Sequence, residues 1–534
     1  MIPRFPLSAL LTAALLLSWE AALEAQQPSS ALFLSARCVA CHNNLKSAKG
    51  KDVSIETAWS ASVMANSGRD PYWQSSVRRE TLDHPSASAA IQTECASCHM
   101  PLQRFADKAG GHDTAVFAVL PLDAHHDAEA SADGVSCSAC HLAQAEGLGT
   151  PASYNGTLVY APAGQPPSTV FGPYPVTSRA AAIHTAGTKL NTTQSEHLSQ
   201  AAFCGSCHTL YTSTLDASGK PVGRFPEQMV YLEWQHSDYH DKQTCQQCHM
   251  PAVDDPAPVA TLGSPPHDDV RFHSFTGANF FLQEMLNAHH DELAVSATPG
   301  ALSAAAAETR AYLQSKAAHL TVSPAKPADG HLSFSVSVQN LSGHKLPTAY
   351  PSRRAWLHVT VEDSSGKIVF ESGKLNADGS IAGNLNDADA TRYSPHYTTI
   401  TAAEQVEIFE PILGDGQGRV TTALLNATQY LKDNRILPTG FDKQSASPEI
   451  AVHGEAVSDA GFIAGTASTR YEIPIAAGSG HFQIKAELLY QPVGYRWAHN
   501  LAPYKAAETQ SFVSYYEAAS SKSAITLAEA TASF

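Results

Sequence analysis

Five copies of one five-residue pattern, Cys-x-x-Cys-His, contain all ten cysteines of the chain and leave none over. The cysteine pairs are Cys38 and Cys41, Cys95 and Cys98, Cys137 and Cys140, Cys204 and Cys207, and Cys245 and Cys248. The histidines that follow them are His42, His99, His141, His208 and His249. In a haem c attachment site, two thiols add to the porphyrin vinyl groups and the histidine binds the iron. One copy could be a zinc or redox site, but five copies predict five covalent haem c groups.

A second iron ligand is needed wherever a haem only transfers electrons. The chain has 25 histidines, so 20 remain besides the five proximal ones. The candidates for distal ligands are His126, His197, His236, His273, His344 and Met64. Ligation by two histidines lowers the reduction potential relative to His/Met ligation, so Met64 would raise the potential of its haem. The alternative for each histidine is a solvated or hydrogen-bonded side chain, and for Met64 it is packing near a porphyrin.

Composition restricts the partners of the chain. It has 534 residues, 43% of them hydrophobic, which is enough for two or three folded domains. Its formal net charge is −16. Nucleic acids and anionic lipids attract basic surfaces, so neither is expected as a partner. We expect redox proteins as electron donors and acceptors, docking near an exposed haem edge.

The amino terminus has the pattern of a secretory signal peptide. Arg4 precedes a short apolar run from Leu7 to Trp19, and Ala25–Gln26 is the expected cleavage site. The alternative is a buried or membrane-anchoring helix, but the run is shorter than the about 20 residues of a membrane span. No other segment is apolar enough to span a membrane. The sequence therefore predicts export to the periplasm or the extracellular space.

The sequence pattern changes along the chain and predicts an α+β protein. A signal peptide (1–25) precedes a loop- and short-helix-rich five-haem domain (26–290). A helical connector (291–319) follows, with Thr298 as the expected cap. Alternating apolar residues at 332–338, 355–361 and 482–490 predict strands of an antiparallel β-sandwich domain (320–515), before a C-terminal tail (516–534). Because the haem half has little periodic structure, we expect it to be largely unfolded without haem.

The haem half resembles bacterial multihaem c-type cytochromes related to the tetrahaem electron acceptor of hydroxylamine oxidoreductase. The matching segments are 59–65, 95–101, 134–141, 203–210, 226–234 and 244–251. The later half resembles the β-domain that accompanies such haem domains, in segments 343–356, 431–443 and 490–501. The resemblance implies an exported electron-transfer protein. The chain departs from the tetrahaem pattern by its fifth motif, and from histidine ligation at Met64.

Three functions are compatible with these patterns. The favoured one is an electron carrier whose haems form a chain, without catalytic residues. The second is a multihaem oxidoreductase with one open haem, acting on a small nitrogen or sulfur compound. The third, compatible with the first, is self-assembly into an extracellular cytochrome filament. The resting spectrum distinguishes the first two, because an open haem gives a high-spin signal.

Overall fold

The computed structural model describes residues 33–122, 128–328, 330–475 and 481–533. The predicted signal peptide and the candidate ligand His126 lie outside these ranges. Within them, no helix has both the length and the apolar character needed to cross a membrane.

The first half of the chain consists of short helices joined by long loops. Its helices are α1 (Ser35–Val39), α2 (Ile55–Ser60), α3 (Pro71–Asp83), α4 (Ser88–His99), α5 (Pro101–Ala109), α6 (Glu129–Ala132), α7 (Cys137–His141), α8 (Ser178–Thr188), α9 (Ala201–Gly205), α10 (Val230–Gln235), α11 (Cys245–His249) and α12 (Phe280–Ala288). Strands β1 (Thr169–Gly172) and β2 (Asn191–Gln194) pair in parallel, and β3 (Leu210–Leu215) forms a hairpin with β4 (Pro221–Gln228).

Helix α13 (Pro299–Lys316) joins the two halves and begins where the sequence predicts. The Thr298 side chain accepts a hydrogen bond from the amide of Ala301, and proline occupies the first turn. Strand β5 (Ala318–Val322) follows almost at once, so the predicted domain boundary at residue 320 falls within a strand.

The second half contains two large sheets and one small one. The first sheet has the order β10 (Thr399–Ile400), β16 (Thr466–Pro474), β7 (His331–Asn340) and β5, with β6 (Lys326–Ala328) and β15 (Phe462–Ile463) at its sides. The second has the order β11 (Ile408–Phe409), β8 (Arg354–Asp363), β17 (Phe482–Gln491) and β18 (Ile525–Ser533), with β9 (Ile368–Ser372) beside β8. The third comprises β13 (Val420–Thr421), β12 (Pro411–Asp415) and β14 (Ala427–Asp433).

One hydrophobic core receives side chains from both large sheets. Val336 and Val338 of β7 and Val359 and Val361 of β8 are fully buried in it, at alternate positions along each strand. Almost all pairings in these sheets are antiparallel; the two-residue pairing of β10 with β16 is parallel. The predicted α+β class, with a helix-rich first half and a β-rich second half, is confirmed.

The second half also contains elements without a clear sequence pattern. Helices α14 (Leu385–Ala388), α15 (Tyr495–His499) and α16 (Ala507–Ala519) interrupt the strands. Strand β18 lies in the predicted C-terminal tail, yet it pairs with β17 along its length. Its last residues are small or polar and only partly buried, so hydrophobic alternation is weak there. Helix α16 packs on α3 of the first half, where Arg78 and Glu508 form a 2.7 Å ion pair.

Candidate functional site

A single cavity of about 1990 Å³ runs through the first half of the protein and reaches the second. All ten cysteines and all five histidines of the motifs line it. Pockets for one small ligand have volumes of about 300–1,000 Å³. The cavity is therefore large enough for several ligands, and the five motifs open into a common space.

Each motif forms one helical turn, which brings its three functional side chains to the same face. In α7, the Ser136 side chain accepts a hydrogen bond from the amide of Ala139 and starts the turn. Thr244 and Gln247 form a capping box at α11. The amide of His208 donates to the carbonyl of Cys204 over 3.0 Å, which is the same helical contact. Two thiols and an imidazole thus face the cavity from each turn, as haem c attachment requires.

Neighbouring motifs touch through their cysteines. Adjacent thiols from different motifs are Cys38 with Cys137, Cys98 with Cys207, and Cys204 with Cys245. Cys140 also lies near Cys207. The fourth motif therefore adjoins the second, third and fifth motifs, and the first motif joins them through the third. All five attachment sites form one connected set that branches at the fourth motif.

Four of the five motif histidines are oriented by backbone carbonyls. The Nδ1 atoms of His42, His141 and His249 lie 2.6, 2.7 and 2.7 Å from the carbonyl oxygens of Val259, Phe171 and Thr276, and that of His99 lies 3.1 Å from Ser67. A carbonyl only accepts, so Nδ1 carries the proton and Nε2 keeps its lone pair. Burial lowers the pKa of His99 and of His208 to about 4. These imidazoles are neutral at physiological pH, as a metal ligand must be.

Two candidate distal ligands lie opposite proximal histidines. The ring centres of His141 and His273 are 6.4 Å apart with planes 20° from parallel, and those of His249 and His344 are 6.3 Å apart at 14°. With about 2 Å from each nitrogen to the metal and about 1.2 Å from each nitrogen to its ring centre, two imidazoles on opposite sides of one iron have centres about 6.4 Å apart. Both ring pairs therefore have the separation that one shared iron requires.

His273 and His344 also have the tautomer expected of iron ligands. Their Nδ1 atoms lie 2.9 Å from the carbonyl oxygens of Arg271 and Lys345, respectively, which leaves Nε2 unprotonated. Burial lowers the pKa of each to about 4. The residues present therefore fit haem c at the third and fifth motifs in both the attachment and the ligand positions.

The other candidates are placed differently. Nε2 of His197 donates to the carbonyl of Ala143 over 2.9 Å, and its Nδ1 lies 2.7 Å from the Ser195 hydroxyl, so neither nitrogen is left free for a metal. Nε2 of His236 donates to the carbonyl of Asp442 over 2.9 Å. These contacts do not favour iron ligation by either residue through Nε2. Met64 lines the cavity, and its carbonyl accepts from the amide of Val135, just before the third motif.

Three carboxyl groups that the sequence did not reveal line the cavity beside the second motif. They are Glu80 of α3, Glu94 of α4 and Glu227 of β4. Burial raises the pKa of all three, that of Glu227 to about 7. Glu227 lies within a segment that carries the family resemblance, but nothing in the pattern of the sequence brings these distant residues together.

A second unpredicted feature is a buried charge network beside His344. Its members are Glu233, Lys345, Asp433 and Arg435. Glu233 Oε1 lies 3.0 Å from Arg435, and its Oε2 accepts from the amide of Lys345 over 3.1 Å. Asp433 lies 2.7 Å from both Lys345 and Arg435. Two carboxylates balance two cations, and the network ties the His344 loop to helix α10 of the first half.

The fold is similar to that of a solved penta-heme cytochrome. No protein-family model matches the chain, and no curated protein matches it. A penta-heme cytochrome c552 from Thermochromatium tepidum superposes with a TM-score of 0.51 at 17% sequence identity. The match covers 95% of this chain and 100% of that one. The chain therefore shares its overall fold with this penta-heme cytochrome c552.

Proposed function

We propose that this chain is an exported five-haem cytochrome c that carries electrons between redox proteins. The observation that carries the proposal is the single cavity into which all five Cys-x-x-Cys-His turns face. Adjoining thiols of neighbouring motifs would hold the porphyrin edges close together, so electrons would pass from haem to haem without leaving the protein. The similar fold of a penta-heme cytochrome supports this proposal.

The ligand set follows from the ring pairs. Each cysteine pair would hold one porphyrin covalently, and His42, His99, His141, His208 and His249 would be the proximal ligands. His273 would complete the iron at the third motif, and His344 the iron at the fifth. When bound, such haems supply reversible one-electron chemistry, and the chain's own residues hold and orient the ligands. Two of the distal ligands would thus come from the same chain. These two haems would not need a histidine from a neighbouring subunit of a filament.

Export is the remaining part of the proposal. Haem c attachment takes place outside the bacterial cytoplasm, which agrees with the predicted signal peptide. Amino-terminal sequencing of the mature protein tests this part, and we expect it to begin at Gln26. A mature protein that retained its first 25 residues would contradict the proposed cleavage.

Haem counting and a redox titration test the function directly. The purified protein should contain five covalently bound haems in the alkaline pyridine assay. An optical redox titration should then show reversible one-electron steps, and electron exchange with a small donor protein should proceed without loss of haem. Clearly fewer than five covalent haems would overturn the proposal.

A second candidate, an oxidoreductase with an open haem, is favoured by one observation. Among the described residues, the ring pairs that suit a shared iron occur at two of the five proximal histidines, His141 and His249. Electron paramagnetic resonance of the oxidised protein distinguishes the candidates. A high-spin ferric signal that shifts when nitrite, hydroxylamine or sulfite is added would favour the enzyme, and purely low-spin haem would favour the carrier.

A further inference from the structure

The three carboxyl groups beside the second motif, of which Glu80 and Glu227 are buried and Glu94 is half-buried, have no role in attaching or ligating haem. They come from separate elements, α3, α4 and β4, and all three lie close enough to Cys95 to influence its thiol electrostatically. Glu227 also influences Cys98, the second cysteine of the same motif. The carboxyl groups therefore converge on the attachment point of one porphyrin.

These carboxyl groups accept fewer hydrogen bonds than buried carboxylates would need to remain charged. Glu227 accepts from the Thr212 hydroxyl and, over 3.0 Å, from the Gln228 amide. Glu80 Oε1 accepts from the amide of Leu424 over 2.8 Å. Only 6% of Glu80 is exposed, and its second carboxylate oxygen is buried without a hydrogen-bond partner. Within the described ranges, none of the three carboxyl groups forms a salt bridge.

Charged and titratable groups from the surrounding elements face this cluster, but none of those described forms a salt bridge with it. They are Arg79, Asp83 and His84 at the end of α3, Arg224 of β4, Cys95 and Cys98 of α4, and the phenols of Tyr350 and Tyr430 from the second half. Arg79 itself pairs with Asp83. Neighbouring buried carboxylates repel one another, and burial disfavours each charged form, so the cluster binds protons readily.

We propose that Glu80, Glu94 and Glu227 form a proton-uptake site that couples protonation to reduction of the haem held by the second motif. This inference rests on the proposed function. For each electron that a donor protein gives to this haem, the donor is oxidised, the iron is reduced and the cluster takes one proton from water. The added negative charge favours the protonated carboxyl group, and by linkage the bound proton favours the reduced iron.

The test is a redox titration of the holoprotein at several values between about pH 5.5 and 8.5. We expect one of the midpoint potentials to fall with rising pH, with a slope approaching about 59 mV per tenfold change in proton concentration. In E227Q and in the E80Q/E227Q double variant this slope should flatten. E56Q is the matched control, because Glu56 lines the same cavity beside the first motif and pairs with Asn43; its slope should equal that of the unchanged protein.

Difference infrared spectroscopy provides a second readout. The reduced-minus-oxidised spectrum should contain a band from a newly protonated carboxyl group, which disappears in E227Q or E80Q and persists in E56Q. Five bound haems with pH-independent potentials would overturn the coupling and leave the proposed function intact. A slope that persists in the double variant would also overturn it, because the proton would then bind elsewhere. Fewer than five covalent haems would instead overturn the proposed function.

Discussion

Histidines with shifted pKa values have different surroundings in the two halves of the molecule. In the cavity, desolvation lowers the pKa of His99, His208 and His273 to about 4, and the Nδ1 atoms of His99 and His273 lie 3.1 and 2.9 Å from backbone carbonyl oxygens. In the β-rich half, His396 lies between Glu407 and Asp459, at 2.6 and 2.9 Å. Burial alone would lower its pKa, but the two carboxylates outweigh burial and raise it.

The different surroundings of these histidines suit them to different roles. Neutral imidazoles with a free Nε2 are suited to bind a metal, and they line a space that the protein atoms do not fill. The imidazole of His396 instead lies within ion-pair distance of two carboxylates. The first half thus encloses a space that protein atoms leave open, and the second half has a closely packed interior.

Production of the chain without haem attachment should have the largest effect, and it should affect the first half far more than the second. The apolar side chains that line the cavity of about 1990 Å³ then have no porphyrin to pack against, and folded proteins are stable by only about 5–15 kcal/mol. We expect limited proteolysis to digest the first half and leave a fragment that begins near α12, since Phe280 and Phe281 belong to the core of the β-rich half.

The haem-containing protein is the control for this experiment and should resist the protease over both halves. A cooperative, native-like melt of the haem-free chain would contradict the expected dependence on cofactor.

Removal of one charge from the buried network should cause the second largest loss of stability. Asp433→Asn leaves Lys345 and Arg435 without their shared carboxylate, and breaking a buried ion pair costs about 3–5 kcal/mol. Thermal unfolding of the holoprotein measures the loss. Asp52→Asn is the matched control, because its 2.7 Å pair with Lys46 is more than half exposed and should change stability by less than about 1 kcal/mol. Equal effects of the two substitutions would show that the buried network does not stabilise the fold.

Substitution of the candidate distal ligands should change single haems and leave the rest of the protein intact. His344→Ala and His273→Ala should each convert one low-spin haem to high-spin, as measured by electron paramagnetic resonance. His344→Met should instead raise one reduction potential, because a thioether replaces an imidazole. His197→Ala serves as the comparison, and we expect no change in spin state. Unchanged low-spin signals in both alanine variants would rule out the proposed ligands.

The contribution of His396 to the pH dependence of stability should be a smaller effect. Because the pKa of His396 is raised in the folded state, its contribution is complete below about pH 6.5, the value of an unperturbed histidine. That contribution is lost as the pH rises through the folded-state pKa. Urea unfolding at increasing pH should show this loss, and His396→Gln should reduce it. His319→Gln, at an exposed position in β5, should leave the pH dependence unchanged; an equal effect of both would exclude His396 as its source.

Local patterns in the sequence predicted the local parts of the structure. Cys-x-x-Cys-His specifies one helical turn with three side chains on one face, and Thr298 with Pro299 specifies the start of α13. The alternating residues of β7, β8 and β17 predicted buried strands. These features depend on neighbours a few residues away, so the sequence alone reveals them.

Long-range partners were not predictable in the same way. His344 was a candidate because of its tight loop, but its position opposite His249 depends on how the β-rich half packs on the first. The carboxyl cluster of Glu80, Glu94 and Glu227 and the network around Asp433 form only when distant elements meet. Strand β18 was missed because pairing with β17, and not hydrophobic alternation, determines its conformation.

The position of His344 has a consequence for how such a protein would mature. In an exported chain, the fifth Cys-x-x-Cys-His turn would leave the membrane channel before the loop that carries His344. Attachment of pigment there would precede completion of its coordination, which waits for the β-rich half to fold and dock. A chain truncated after α13 would accordingly hold every thioether bond yet leave the iron of the fifth motif without its second ligand, so assembly would end with closure of this last site.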